Sequence, residues 1–267
     1  MTYTKKTVQK WYRALGFPKE MDAPFERALS RTPIDANASI ETFTPDEGDG
    51  ARSLLYYLYF CEALAEKYAE RGIPEGILLD TLSDVVVWTK TWSALKGELY
   101  LGETGWLRRH LEMRLFKLGR LQFCIAPSEH AIPEKGLAVG ETVVEVHIPE
   151  GEPLQSDACR ASFDAARDFF ARYYPSLDYS LFTCHSWLLD ASLGALLPEG
   201  SNILKFARFF TVVQNDPSDA LLGYLFRWGA KREDIDTLPV TSSFAARVKA
   251  AVLEGRTFYE SLGYIEK

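Results

Sequence analysis

Three consecutive segments decide the fold: Thr142-Val-Val-Glu-Val-His-Ile148, an amphipathic run from about Ala158 to Tyr174, and Tyr179-Ser-Leu-Phe-Thr-Cys-His-Ser-Trp-Leu188. In the first and third, side chains alternate between two faces, which is the period of a strand. Between them, Gly151 to Pro153 breaks the chain, and Phe163, Ala166, Phe169, Phe170 and Tyr173 recur at helical spacing. A strand that returns through a helix is expected to lie parallel to its predecessor, because the crossover carries the chain back to the end of the sheet where it began.

The same texture continues outward. Upstream, Leu121, Phe123 and Ile125 alternate with Gln122 and Cys124 as another strand, followed by a polar loop from Pro127 to Gly140. Downstream, Pro198-Glu-Gly turns the chain and Ser201 suits an N-cap for a helix carrying Ile203, Leu204 and Phe206. Phe210 to Val213 is a short strand, Ser218 caps a helix ending near Gly229, and Ser242 or Ser243 caps another ending at Gly255. Strand, strand, helix, strand, helix, strand, helix, helix is an α/β order.

Before Leu118 the period is helical. Val8, Trp11, Tyr12 and Leu15 form a first stripe, stopped by Gly16 and Phe17-Pro18. Asp46 to Gly50 is a turn-rich gap. Ala51 to Arg71 is a long helix with Leu54, Leu55, Leu58, Cys61, Leu64, Ala65 and Tyr68 on its apolar face and Gly72 just past its end. A stretch after Pro74 carries Ile77, Leu78, Leu82, Val85, Val86 and Trp92, and a last helix from Thr104 places Trp106, Leu107, His110, Leu111 and Leu115 on one side. Tyr56, Tyr57 and Tyr59 are expected to straddle a face between two domains. The change of period predicts a helical domain over 1–116 and a mixed-sheet domain with flanking helices over 117–267, an α+β or α/β chain.

Composition agrees with two packed domains. The 267 residues exceed the usual size of one hydrophobic core, and 6 Trp, 13 Tyr and 16 Phe supply ample apolar surface. A net charge of −7 gives no general attraction to nucleic acid or anionic lipid. Arg108-Arg109 and Lys231-Arg232 are short and sit beside acids, as a solvated surface does. No run approaches the roughly 18 apolar residues of a membrane span, and the N-terminus lacks the apolar core of a signal peptide. A cytoplasmic location is expected. Cys61, Cys124, Cys159 and Cys184 form no Cys-x-x-Cys pair, and the four histidines share no helical ligand spacing, so reduced thiols and no metal are expected.

Five segments carry a resemblance: Leu118-Gly-Arg-Leu-Gln-Phe, Val144-Glu-Val-His-Ile-Pro-Glu-Gly, Ala165-Ala-Arg-Asp-Phe-Phe-Ala-Arg-Tyr-Tyr-Pro, Cys184-His-Ser-Trp-Leu-Leu and Leu196-Leu-Pro-Glu-Gly-Ser-Asn-Ile-Leu-Lys-Phe. Together they resemble a bacterial family of acyltransferase-domain-containing proteins, which joins an N-acyltransferase N-terminal helical domain to a GNAT-like C-terminal domain. The resemblance implies acetyl-CoA or another acyl-CoA as co-substrate, no metal, and transfer of an acyl group to an amine of a small-molecule substrate. One segment departs from the pattern. Pro149-Glu-Gly-Glu-Pro-Leu-Gln-Ser-Asp-Ala-Cys-Arg lacks the Gln/Arg-x-x-Gly-x-Gly/Ala signature in which backbone N–H groups meet a pyrophosphate at a helix N-terminus, and it carries three acids. Phe258-Tyr-Glu-Ser-Leu-Gly-Tyr looks like the segment whose tyrosine protonates a departing thiolate, but only a few residues follow where two further strands would be expected.

Alternation groups Glu145 with His147, and Thr183 with His185 and Trp187, so the two histidines are expected near matching C-terminal strand ends, where open α/β sheets hold ligands. A histidine or carboxylate there can take the proton of an attacking amine, which makes His147, His185 and Glu145 the candidate catalytic groups, with Tyr259 added on the resemblance. The plainer alternative is two core histidines. Cys184 and His185 face opposite ways and do not form a dyad. Ser201, Asn202 and Lys205, in the first turns of their helix, are the candidate cofactor-binding residues. Two functions stay open: an acyl-CoA-dependent N-acyltransferase, or a non-catalytic binding or scaffolding protein that kept the fold and lost the pyrophosphate loop.

Overall fold

In the computed structural model of the chain, residues 3–41, 43 and 48–267 are described. Helices α1 (Tyr3–Ala14), α2 (Asp22–Arg31), α3 (Gly50–Arg71), α4 (Glu75–Leu82), α5 (Asp84–Lys96) and α6 (Thr104–Leu111) come first. Strands β1 (Leu115–Leu118), β2 (Leu121–Pro127) and β3 (Thr142–His147), helix α7 (Ser156–Tyr173) and strand β4 (Leu181–Ser186) follow. Helix α8 (Asn202–Ala207), strand β5 (Thr211–Pro217), helices α9 (Ala220–Leu225) and α10 (Ser243–Leu253), and strand β6 (Tyr259–Glu266) complete the chain.

Two compact units emerge. The first comprises Met1–Cys124 with Ile148–Glu150 and Asp168–Pro175; the second comprises Ile125–His147, Gly151–Arg167 and Ser176–Lys267. In the first unit α3 is the axis, with Leu54, Leu55, Leu58, Cys61 and Leu64 wholly buried. It ends where the apolar stripe ends, at Gly72, whose φ of 72° closes the last turn in the left-handed region that glycine adopts without strain. Its start is capped by Asp49, which accepts a hydrogen bond from the Arg52 N–H at 2.8 Å; of the expected turn 46–50, residues 46 and 47 lie outside the described residues. Glu62 on α3 takes hydrogen bonds from Lys10 and from the Trp11 indole, which ties α1 to it.

In the second unit β3 runs parallel to β4, with Val144 opposite Phe182 and Glu145 opposite Thr183. Strand β6 is antiparallel to both β4 and β5. The strand order is β1-β2-β3-β4-β6-β5. Leu193, Leu221, Leu222, Val248, Ala251 and Phe258 pack into one apolar cluster, and Ile132, Leu137, Val143, Leu181, Leu262 and Tyr264 into another.

The helical pattern needs three corrections. The apolar run after Pro74 is two helices, α4 and α5, parted at Ser83, whose hydroxyl bonds back to the Asp80 carbonyl. Leu115 does not belong to the stripe of α6: that helix stops at Leu111, Met113 turns the chain at φ 56°, and Leu115 opens β1. Finally, Phe258-Tyr-Glu-Ser-Leu-Gly-Tyr begins a strand, β6, which pairs on both edges. A glycine within it obscures the alternation, and Gly263 is required there, since a Cβ would stand 2.9 Å from the Phe210 Cβ and 3.0 Å from a Leu189 methyl. Ser201 and Ser242 cap α8 and α10 as their sequences predict.

Candidate active site

The second unit gathers three histidines and two carboxylates on one sheet face. Glu145 and Thr183 are register partners on β3 and β4, and continuing that register by two residues sets His147 beside His185 at the C-terminal ends of the parallel pair. The sequence parity therefore carries through. His147 Nε2 lies 3.3 Å from its strand neighbour's carboxylate oxygen, Glu145 Oε2.

His185 has a partner that no sequence spacing announces. Its Nε2 lies 3.3 Å from Asp216 Oδ2 on β5, with β6 between the two strands. A bulge makes this possible. Val212 pairs with Gly263, yet Gln214 pairs with Leu262, so Val213 is an extra residue and every side chain beyond it changes face. Leu262 is also the register partner of His185, so Gln214 and Asp216 arrive on the histidine's face while Asn215 turns away to accept from the Ser261 hydroxyl. The Gln214 amide then donates to both Asp216 oxygens, at 3.0 and 2.8 Å, and fixes the carboxylate. The side chains of His185 and Asp216 remain 35% and 43% exposed, so a substrate can reach them.

A third imidazole, His130, meets His185 edge to face with ring centroids 4.9 Å apart. Its loop is held by Ser128, whose hydroxyl donates to the His130 carbonyl and accepts from its N–H, and by the bridge between Ile132 and Leu137. Cys184 faces away and is fully buried. Burial, with Glu145 adding to it, pushes its thiol well above the ordinary range, so it is not a nucleophile.

The other expected residues are placed elsewhere in the second unit. Tyr259 opens β6, where its N–H donates to Asp190 Oδ2 at 3.0 Å. Three residues from Leu262 on an extended strand, it points to the face opposite His185. Ser201 spends its hydroxyl on the Ile203 N–H, Asn202 begins α8, and Lys205 is exposed on that helix. The histidines are joined by nothing that the polar pattern of 127–140 or the short strand read at 210–213 could have revealed.

A second polar cluster lies in the first unit, on the face of α6 that looked purely apolar. Tyr57 Oη lies 3.0 Å from His110 Nδ1, His110 Nε2 lies 3.7 Å from Asp84 Oδ2, and the Trp106 indole donates to the same Asp84 oxygen at 2.9 Å. Tyr57, His110 and Asp84 are buried and Trp106 is half-buried, all within one unit, where Tyr56 and Tyr59 likewise bond, to the Asp35 N–H and the Ala36 carbonyl. The basic pairs are also engaged, Arg108 with Glu112 and Arg232 with Asp219. The four cysteines are buried and joined by no disulfide. Among the described residues no group of side chains could hold a metal, and no helix is long and apolar enough to cross a membrane.

A helical region followed by a mixed six-stranded sheet with flanking helices is the architecture of a GNAT-like class of protein. A family model of the GNAT-like C-terminal domain matches residues 115–265, and one of the N-acyltransferase N-terminal domain matches residues 4–113. The chain belongs to this family. Its structure is similar to that of a mutant acyltransferase, orf11*, in complex with octanoyl-CoA, with a TM-score of 0.80 and 25% identity over 98% of this chain and 88% of that one. An acyltransferase in complex with decanoyl-CoA and teicoplanin gives the same values, and one in complex with CoA and 10C-teicoplanin gives 0.80 and 26% over 97% and 87%. No curated protein matches the chain.

Proposed function

We propose that the protein is an acyl-CoA-dependent N-acyltransferase in which His185, held by Asp216, is the general base. The observation that carries this reading is the bulge-built pair of His185 and Asp216 on the face where β3 and β4 end. The carboxylate orients the imidazole, which is what a base needs from its partner. An acceptor amine attacks the thioester carbonyl; its N–H proton passes to His185 as the C–N bond forms, and the C–S bond then breaks. The thiol leaves with that proton, so one proton has moved from nitrogen to sulfur and the histidine is regenerated. His147 with Glu145 forms the second pair on this face and His130 closes its edge; we assign both to positioning.

Donor recognition is expected to differ from the usual pyrophosphate grip. Helix α7 begins at Ser156 and carries Arg160, exposed, near its start, but Asp157 lies in its first turn and Glu150 and Glu152 precede it. The acids would weaken anion binding there, so the acyl chain contributes a larger share of the affinity. Such acyltransferases, in complex with octanoyl- and decanoyl-CoA, support a medium-chain donor over acetyl-CoA. Four buried cysteines joined by no disulfide fit a reducing compartment such as the cytoplasm.

The test is release of free thiol from acetyl-, octanoyl- and decanoyl-CoA with a panel of amines. His185→Ala should lower turnover by about 10²-fold or more, with the melting temperature retained. Equal turnover by His185→Ala and the unaltered chain would overturn His185 as the base, and no thiol release by the unaltered chain above the uncatalysed rate would return the protein to the alternative of a binding protein on a GNAT-like fold. That alternative has the acidic segment after β3 in its favour.

A further inference from the structure

The first unit contains an open cleft of about 370 Å³, lined by Trp92, Lys96, Tyr100, Glu103, Thr104 and the backbone of Gly102 and Gly105. Its aromatic wall is rigid. The Trp92 and Tyr100 rings lie 5.8 Å apart at 31°, and each is closed on one side by a glycine. A Cβ on Gly102 would stand 2.3 Å from the indole, and one on Gly50 would stand 2.4 Å from the phenol ring. Over these two rings the chain places its own cation: Lys96 Nζ is 5.8 Å from the Trp92 centroid and 5.1 Å from that of Tyr100. Attraction of an ammonium to ring faces operates at this distance.

Glu103 completes the cleft and is not satisfied within it. Its backbone sits at φ 51°, a left-handed conformation uncommon for a residue with a side chain. Among the described residues its carboxylate has neither an ion pair nor a hydrogen bond, and burial alone raises it above the ordinary carboxylate range. A half-buried acid without a cation, beside an aromatic pair that already holds one, is a site built for positive charge.

We propose that this cleft binds a small organic ammonium, with its charge between the Trp92 and Tyr100 rings and Glu103, and that the Lys96 ammonium is an internal stand-in which the ligand displaces. The assignment does not depend on the acyl-transfer reading. A carboxylate beside two rings accepts a primary ammonium through N–H bonds and a quaternary one through its charge and the rings.

The test is calorimetric titration of the whole chain, without any acyl donor, using methylammonium and tetramethylammonium chloride at constant ionic strength with sodium chloride as reference. Saturable binding is expected. Lys96→Ala should tighten it by about two- to five-fold, because the internal competitor is gone, and Glu103→Gln should weaken it by at least as much. Binding by both salts assigns recognition chiefly to the rings; binding by methylammonium alone assigns it to the carboxylate and identifies a primary amine as the ligand. Heats no different from those of sodium chloride in the unaltered chain, or weaker binding in Lys96→Ala, would overturn the proposal.

Discussion

His185 shows how little a single residue's chemistry means before its partner is known. On β4 it is one exposed-side histidine among four in the chain; with Asp216 3.3 Å away it becomes an oriented base. Asp216→Asn should therefore lower kcat by about 10-fold or more while KM for the thioester changes little, since the lost interaction forms with the protonated imidazole. His110 is the opposite case. Desolvation pulls its imidazole down to about 4, with Asp84 acting the other way and losing. An unfolded histidine takes up its proton near ~6.5. Below that pH the unfolded chain binds more protons than the folded one, so this contribution to stability is full above ~6.5 and is lost as pH falls towards about 4, a change on the order of 3 kcal/mol. His110→Gln keeps an acceptor for Tyr57 and cannot titrate; its denaturant midpoint should fall less steeply between these two pH values than that of the unaltered chain.

At the scale of elements, strand register decides which side chains share a face. Deleting Val213 makes Val212 and Gln214 consecutive opposite Gly263 and Leu262, so β5 becomes regular and Asp216 stays opposite Glu260 on the face of His185. We expect the deletion to retain most of the activity that Asp216→Asn loses, with the circular dichroism of the sheet preserved; a loss equal to that of Asp216→Asn would show that the bulge itself, and not only the register, holds the carboxylate in place. Its neighbour β6 tests packing instead. Gly263 stands under Phe210 and Leu189, so Gly263→Ala should destabilise the protein by about 1–3 kcal/mol, the usual cost of forcing a methyl into a filled core, read as a shift in the denaturation midpoint.

At the scale of the whole chain, the compact units do not follow chain order. Residues 168–175 belong with the first unit, where Phe116 and Phe169 rings lie 4.7 Å apart and the Tyr174 hydroxyl donates to the Met113 carbonyl. We propose a domain boundary at 116/117, which falls within β1, while the family models divide the chain between 113 and 115. A fragment of residues 115–267 leaves Phe169, Phe170 and Tyr174 without the helices beneath them. It should bind a hydrophobic dye and melt without a cooperative transition, whereas the full chain should melt cooperatively and gain stability when decanoyl-CoA is added.

The sequence by itself determined the helical first part, the strand-helix-strand unit, the caps at Ser201 and Ser242, and the parity that sets His147 and His185 on one face. Each depends on a period of two or 3.6 residues and on side chains a few positions apart, and such spacings are local. Tertiary structure alone decided that the segment from Tyr259 is a strand between two others, that a bulge at Val213 carries Asp216 to His185, that His130 joins them, and that Tyr57, His110 and Asp84 meet inside the helices. The side-chain contacts join residues 26 to 55 positions apart and the β4–β6 pairs join residues 75 to 85 apart, and their meeting is fixed by strand register and helix packing, which no local period encodes.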